Sequence, residues 1–365
     1  MRQQYEPSAD RIIALYQQLE DDILSAVIRR ILKMGYVSEA SKHQLEVLQA
    51  AGLLYDDIVQ LIADRTDACT AQVKALFEDA GVQTVAIDNS LHEAAGALPI
   101  DIRQDSSTRQ VLEAGYKKTL GTMQNLVSTT ATQTQTAFIQ TCDRIYMQVS
   151  SGAFSYQEAI MNALRALADT GAEVVYPTKH KDRMDVAVRR CVLTGVSQAA
   201  AAVSLRQAED AGCYLMEITA HSGARPDHAE WQGQLVTITG KDAGKIIDGL
   251  RVFTLSEIGY GSGEGFKGWN CRHNWHAYYP GFSTPNYTPE ELKRLDEPCI
   301  SYNGKLYTEY EVSQMQRAQE RRVRAWKRRC ITAQESVNSA TDEATRATAQ
   351  AEFERSARYL KNNEA

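Results

Sequence analysis

Four of the seven histidines fall within residues 218–280: His221, His228, His273 and His276. Imidazole is both a common transition-metal ligand and a proton carrier near neutral pH. Cys271 stands two residues before His273, a spacing that shares one face of a strand and on a loop lets both side chains chelate one ion. His221, His228, Cys271 and His273 are therefore a candidate tetrahedral Zn2+ set of thiolate and imidazoles. No C-x2-C pair and no H-E-x-x-H accompanies them. The plainer reading, a buried cysteine beside histidines that hydrogen-bond loop backbone, carries more weight.

Two catalytic readings of the same stretch are weaker still. Cys271 and a histidine with Asp227 as orienter would make an activated nucleophile. His228, Glu230, Asn270 and His273 would suit a metal-dependent nuclease. Neither spacing fixes a geometry, so no catalytic residue is assigned. Residues 259–268 hold five glycines in ten positions, but lack the GK[ST] ending of a phosphate loop. A packing loop with unusual backbone angles fits better. In 225–228, Asp227 can accept backbone N–H groups at a helix start and Arg225 can pair with a carboxylate. Trp231, Trp269 and Trp275 are expected to form a small core, since an irregular module has little other apolar area to bury. Farther on, Arg317, Arg321, Arg322, Arg324, Lys327, Arg328 and Arg329 make a basic run that could meet DNA phosphates or lie as a solvated helix face.

The elements around this stretch are mostly helical. Ile12, Leu15, Leu19, Ile23, Val27 and Ile31 recur at steps of three and four and predict a helix over 10–33, ended by Gly35. Further helices are expected over 42–51 and 55–80, with Gly52 and Gly81 as breaks, and a looser one over 88–100. Residues 103–150 read as two helices or one interrupted helix, because the Thr/Gln run at 128–137 has modest helix propensity. Ser155-x-x-Glu158 is a capping box. A short strand is expected at 174–176, stopped by Pro177, then a long helix over 181–211 with Val188, Val192, Val196, Ala199 and Val203 as its stripe. Residues 213–219 and 234–239 alternate and predict strands. Pro226 fits the first position of a short helical turn. Thr288-Pro289 opens a helix, Asn303-Gly304 turns a hairpin over 300–308, and one or two long helices follow from 309.

Composition sets the class. The chain has 365 residues, 43% apolar and 24% charged, with a net charge of −6. Such a balance excludes a polycation built to coat nucleic acid. Seven scattered cysteines and a polar N-terminus point to reduced thiols in a cytoplasmic compartment. Apolar runs such as 199–203 are far short of a span, so no membrane is expected.

The motifs His221-Ser-Gly-Ala-Arg-Pro-Asp-His-Ala-Glu-Trp-Gln-Gly, Gly259-Tyr-Gly-Ser-Gly and Gly268-Trp-Asn-Cys-Arg-His resemble the phage minor capsid protein 2 family. More distantly they resemble the Mu F-like head morphogenesis proteins. The family pattern falls on Arg225, Asp227, His228, Trp231, Gly233, Asn270, Cys271, Arg272 and His273, and the run 317–328 is similar to the family's tail. The resemblance implies a minor head protein of a tailed phage or prophage, assembled in the host cytoplasm and carried in the virion. It implies contact with the portal or major capsid protein, and a role in head assembly or DNA packaging and delivery. No cofactor is required, Zn2+ being the one the ligand set would take. Packaged DNA through the Arg run is a second partner, and oligomerisation stays open. The alternative is a metal-dependent hydrolase or nuclease carried in the virion. The fold expected is α+β, mainly α. It comprises an N-terminal helical region (1–100), a polar long-helix connector (101–171), a small irregular α+β module (172–308) and a helical basic tail (309–365).

Overall fold

The computed structural model describes residues 2–36, 38–102, 104–176 and 178–364. The fold is α+β and mainly α. In order it runs α1 (Arg2–Met34), α2 (Ala40–Ala94), α3 (Ser106–Ser150), α4 (Tyr156–Thr170), β1 (Glu173–Val175), β2 (Lys181–Arg183), α5 (Met184–Asp210) and β3 (Leu215–Ile218). A single 3-10 turn (Pro226–His228) precedes β4 (Leu235–Thr237), β5 (Ile246–Ile247), β6 (Leu250–Thr254) and β7 (Trp275–Ala277). The chain ends with α6 (Pro289–Leu295), β8 (Ile300–Tyr302), β9 (Lys305–Tyr307), α7 (Glu309–Ser339) and α8 (Glu343–Glu364).

Two compact units interleave along the chain. Unit 1 is Met1–Asp10, Ala71–Gly121 and Arg190–Gln316; unit 2 is Arg11–Thr70, Thr122–Arg189 and Arg317–Ala365. Each unit is assembled from three separate stretches of sequence, whereas the four expected regions follow one another along the chain.

In unit 1 a five-stranded sheet has the order β5-β6-β4-β3-β7. The β4–β6 pair is parallel and the other pairs are antiparallel. Alternation along β3 separates two faces. Met216 and Ile218 join Val236, Phe253, Trp275 and Ala277, packed with Ala201 and Ala208 of α5. Leu215 joins Leu235, Leu250, Val252 and Tyr278 on the other side. Each large side chain so buried is worth roughly 1.5–3 kcal/mol. Trp275 is fully buried, and its indole N–H donates to Ala201 O at 3.0 Å, so no polar atom is stranded. Helices approach closely here. A Cβ on Gly81 would come 2.3 Å from Leu112, and one on Gly115 would come 2.9 Å from Ala199 Cβ. Gly81 is therefore a packing residue inside α2, not the break expected. Gly52 also lies inside this helix, so the two or three separate helices are one.

In unit 2 the apolar stripe of α1, Ile12 to Ile31, lies beside α3 and α4, and α4 packs with α8. Helix α4 starts at the expected capping box: Ser155 Oγ accepts from Glu158 N, and Glu158 returns to Ser155 N. Helix α3 runs unbroken through the Thr/Gln run. The hydroxyls of Thr129, Thr136 and Thr141 donate to carbonyls three or four residues back, at 2.8, 2.9 and 2.6 Å, which satisfies them within the helix. The expected interruption is absent, and Thr130 and Thr134 are buried.

Other local expectations fare unevenly. The hairpin turns at Asn303 (φ 48°) and Gly304 (φ 76°), both in the left-handed region that such a turn needs. Residues 181–183 pair with β1 as a strand, so α5 begins three residues later than expected. Pro177, expected to stop β1, lies outside the described residues. By length and composition α5 passes the test for a membrane span. So do core helices, and its Val188, Val192, Val196 and Val203 are buried in the fold.

Candidate functional site

Three segments of unit 1 converge. After β3 the chain reaches the 3-10 turn, where Pro226 takes the first helical position and the turn buries His228. The N-cap, Arg225, makes no side-chain cap bond, and Asp227 is not a cap either: its carboxylate lies 3.5 Å from Arg225 Nε. Gly233 (φ 69°) then closes the segment, its N–H donating to Ile218 O at 3.0 Å. The second segment is the glycine loop. Cβ atoms on Gly265 and Gly268 would lie 2.1 Å from Gly259 O and Ser262 O, so the loop folds on itself only with glycine there. This fold brings Glu264 O to His228. The third segment enters β7. Asn274 N donates to Thr219 Oγ1 and Thr219 N to Asn274 O, both at 2.8 Å, which sets His273 beside the chain leaving β3.

The ligand-capable atoms of His228, Cys271 and His273 all lie within 4.8 Å of one another. The three residues are 2%, 5% and 1% exposed. Cys271 Sγ is 3.7 Å from His273 Nδ1. On the far side of that ring, Nε2 lies 3.3 Å from Gln232 Oε1, which also accepts from His221 N at 3.4 Å. An amide oxygen accepts, so Nε2 carries the proton and Nδ1 turns its lone pair toward the thiol. His228 Nε2 is 2.9 Å from Glu264 O and 2.8 Å from Arg225 Nη2. Donating to the carbonyl leaves Nδ1 with the lone pair; the other tautomer accepts from Arg225, which also donates to Glu264 O. Burial holds the His228 pKa below its ordinary value, which favours the neutral ring, the form that can act as a ligand. Trp231 and Phe266 wall the group: Trp231 lies 4.4 Å from the His228 ring, 4.8 Å from His273 and 5.8 Å from Phe266.

His221, the fourth expected ligand, stands outside this group. Its Nδ1–H donates to Ser222 O at 2.9 Å, and its ring centre is 4.4 Å from that of His273. His276 belongs elsewhere: with Asn286 it faces the fully buried Glu217, at 3.3 Å and 2.7 Å. The remaining motif residues do not converge. Asn270 is exposed at φ 57°, Arg272 is half-buried, and Trp269 is 61% exposed, lying over Gly263. The expected three-tryptophan core is thus Trp231 and Trp275, with Phe266 in the third place.

Neither catalytic reading gains a geometry. Gln232, a neutral amide, occupies the position where a triad needs a carboxylate on His273. Asp227 is exposed on Arg225. Glu230 is exposed and pairs with Arg251 at 3.3 Å, so no carboxylate joins His228 and His273 among the described residues.

Two features of unit 1 escaped sequence reading. Lys267, at φ 61°, is buried, and its Nζ donates to Ser197 Oγ at 2.9 Å. Burial pushes its ammonium down to about 7, while a Cys271 thiolate pulls it back up. Asp88 is also buried and accepts from Ser204 Oγ at 2.6 Å. Burial raises its carboxyl to about 6, against the Ser204 bond and the charge of His276. Only a lysine amid glycines hinted at the first, and nothing local pointed to the second.

The basic run lies in unit 2, and three of its seven cations are turned inward. Arg324 meets Glu20 at 2.7 Å and Asp21 at 2.6 Å. Arg328 is buried, its Nε donating to Ala168 O at 2.8 Å and its Nη1 3.7 Å from Glu20. Arg329 holds Asp169 at 2.7 Å. That corrects the assignment of Arg324, Arg328 and Arg329 to DNA: their guanidiniums are engaged within the fold. Arg321, Arg322 and Lys327 are exposed.

The family model for phage minor capsid protein 2 matches residues 2–361. A structural protein of Lactococcus phage LL-H is 23% identical over 343 residues, covering 91% of this chain and 88% of that protein. A structural protein of Lactococcus phage mv4 is 36% identical over 86 residues, covering 24% of this chain and 61% of that protein. No solved structure matches.

Proposed function

The chain belongs to the phage minor capsid protein 2 family, and from that premise we propose that it is a minor structural component of the phage head, attached to the portal or the inner shell. It is assembled in the host cytoplasm, travels in the virion, and serves head assembly or DNA packaging and delivery. The observation that carries the attachment is a surface of α2 in unit 2. Leu45, Leu48, Leu53 and Val59 stand exposed there, and three of them, Leu45, Leu48 and Val59, share one face at helical spacing. Large apolar side chains grouped on an exposed helix face are what a protein partner covers. Arg321 and Arg322, exposed on α7, are the cations this reading gives to a phosphate backbone.

Co-sedimentation with assembled portal rings and with capsid shells tests this. The full chain is expected to bind one of them, and Leu45→Glu with Leu48→Glu to abolish binding while the helical circular dichroism is kept. Failure of the wild-type chain to bind portal or shell at any stage of assembly would overturn the reading. Divalent-metal-dependent cleavage of nucleic acid, lost in His228→Ala and His273→Ala, would put the hydrolase alternative in its place.

A further inference from the structure

We propose that His228, Cys271 and His273 bind one Zn2+ as a structural clip that joins the segment after β3 to the loop entering β7. Nothing in the attachment to portal or shell requires it, so the two stand or fall separately.

The donor set comes first. One thiolate and two imidazoles, with no carboxylate or carbonyl among the ligand atoms, select zinc over the oxygen-seeking Mg2+ and Ca2+. Distance comes second. Zn–S near 2.3 Å and Zn–N near 2.05 Å in a tetrahedron place S and N about 3.6 Å apart. Cys271 Sγ and His273 Nδ1 are 3.7 Å apart. A plain S–H···N bond would explain that pair alone. It gives no reason for a third ligand atom, on His228, to close to within 4.8 Å of both.

Orientation comes third. Zinc-bound imidazoles are held by an acceptor on their other nitrogen. Gln232 Oε1 does this for His273, and Glu264 O does it for the His228 tautomer that donates from Nε2. Each acceptor is itself fixed, Gln232 by His221 N and Glu264 O by Arg225. Burial decides the role. The ligands are almost wholly covered, with Trp231 and Phe266 as walls and, among the described residues, no carboxylate in the group. Such a closed site clips loops together; hydrolysis would need an open position. The fourth position falls to Nε2 of His221, whose ring centre lies 4.4 Å from that of His273.

The test uses the full chain, purified without a polyhistidine tag. After dialysis against a weak chelator, zinc is measured by mass spectrometry. One equivalent per chain is expected in the wild type and none in Cys271→Ser, His228→Ala or His273→Ala. His180→Ala, at an exposed histidine in unit 2, is expected to keep its zinc. Replacement by Co2+ should give a thiolate charge-transfer band and the visible bands of a tetrahedral ion, the former lost in Cys271→Ser. Gln232→Ala should retain the spectrum but weaken zinc binding about 10–100-fold, as removal of an outer hydrogen bond to a ligand does. If a ligand variant fails to fold, stripping and reloading the wild type gives the same answer, with reversible loss and return of the cobalt spectrum. Wild-type protein that is folded yet neither retains zinc nor gives a tetrahedral cobalt spectrum overturns the proposal. So does zinc that survives in Cys271→Ser or disappears in His180→Ala.

Discussion

Glu20 in unit 2 and the His228–Cys271–His273 group in unit 1 are both buried polar centres, yet they are satisfied in different ways. Around Glu20 every charge has an opposite charge: Arg324 reaches Glu20 and Asp21, and Arg328 lies between Glu20 and the last carbonyls of α4. The carboxylate also accepts from Ala172 N at 3.1 Å. This network is made of charges within the chain. Around His273 the outer ring atoms are tied to Gln232 and Glu264, while one ligand-capable atom each of His228, Cys271 and His273 faces the others. A sequence rich in arginine invites a search for an external anion, and a sequence rich in histidine invites a catalyst. The geometry reverses the first expectation in part, because Arg324, Arg328 and Arg329 are consumed internally. It narrows the second, because the histidines face a single point.

The strongest way to break the comparison is to unpair the charged centre. Glu20→Ala leaves Arg324 and Arg328 without their shared carboxylate and is expected to destabilise the fold by about 3–5 kcal/mol, the cost of orphaning a buried charge. Urea unfolding monitored by circular dichroism reads it, and a loss below roughly 1 kcal/mol would mean the network is as weak as a surface pair. Next in size is metal removal. If zinc binds the native state alone, saturation at 100–1,000 times Kd raises stability by about 3–4 kcal/mol. A chelator should remove that increment from the wild type and change nothing in Cys271→Ser.

Asp88 gives a third, pH-dependent test within unit 1. Its folded pKa, about 6, lies above the ordinary 3.8. The folded state therefore holds the proton more tightly, and stability falls as pH rises from about 4 through about 6. Asp88→Asn keeps an acceptor for Ser204 and should flatten that fall, giving a gain on the order of 2 kcal/mol at pH 7 relative to wild type. Equal pH slopes in the two proteins would contradict it. The smallest effect is expected at Arg321→Ala with Arg322→Ala. These exposed side chains should change stability by less than about 0.5 kcal/mol, against the large loss at Glu20. If DNA binding by the full chain exists, the salt dependence of its affinity should become shallower in this double variant.

What could be read from sequence was what depends on near neighbours. The capping box at Ser155, the helix start at Thr288-Pro289, the turn at Pro226 and the Asn303-Gly304 hairpin are decided within four residues, and each forms. Strands β3 and β4 were visible through their alternation. Strands β5 and β7, of two and three residues, were not, because partners distant in sequence make them. Glycine misled at Gly52 and Gly81, where packing along α2 outweighs propensity. The site was half legible. The residue types at 221, 228, 271 and 273 suggested a ligand set, but only the fold shows that Nδ1 of His221 is taken by Ser222 O. Trp269 was assigned to the core by type, whereas its backbone sends it outward. The arginines failed for a related reason: charge is local information, while the partner of Arg324 lies 304 positions away.

That separation also bears on the order in which the chain can fold as it is made. Glu20 leaves the ribosome early, and its guanidinium partners emerge only after some three hundred further residues. Until then α1 has on its burying face a carboxylate that lacks the guanidiniums it meets in the fold. Synthesis at about 5–20 residues per second makes that wait roughly fifteen seconds to a minute. A polypeptide cut short before Arg324 is expected to lose α1 to limited proteolysis faster than the full chain.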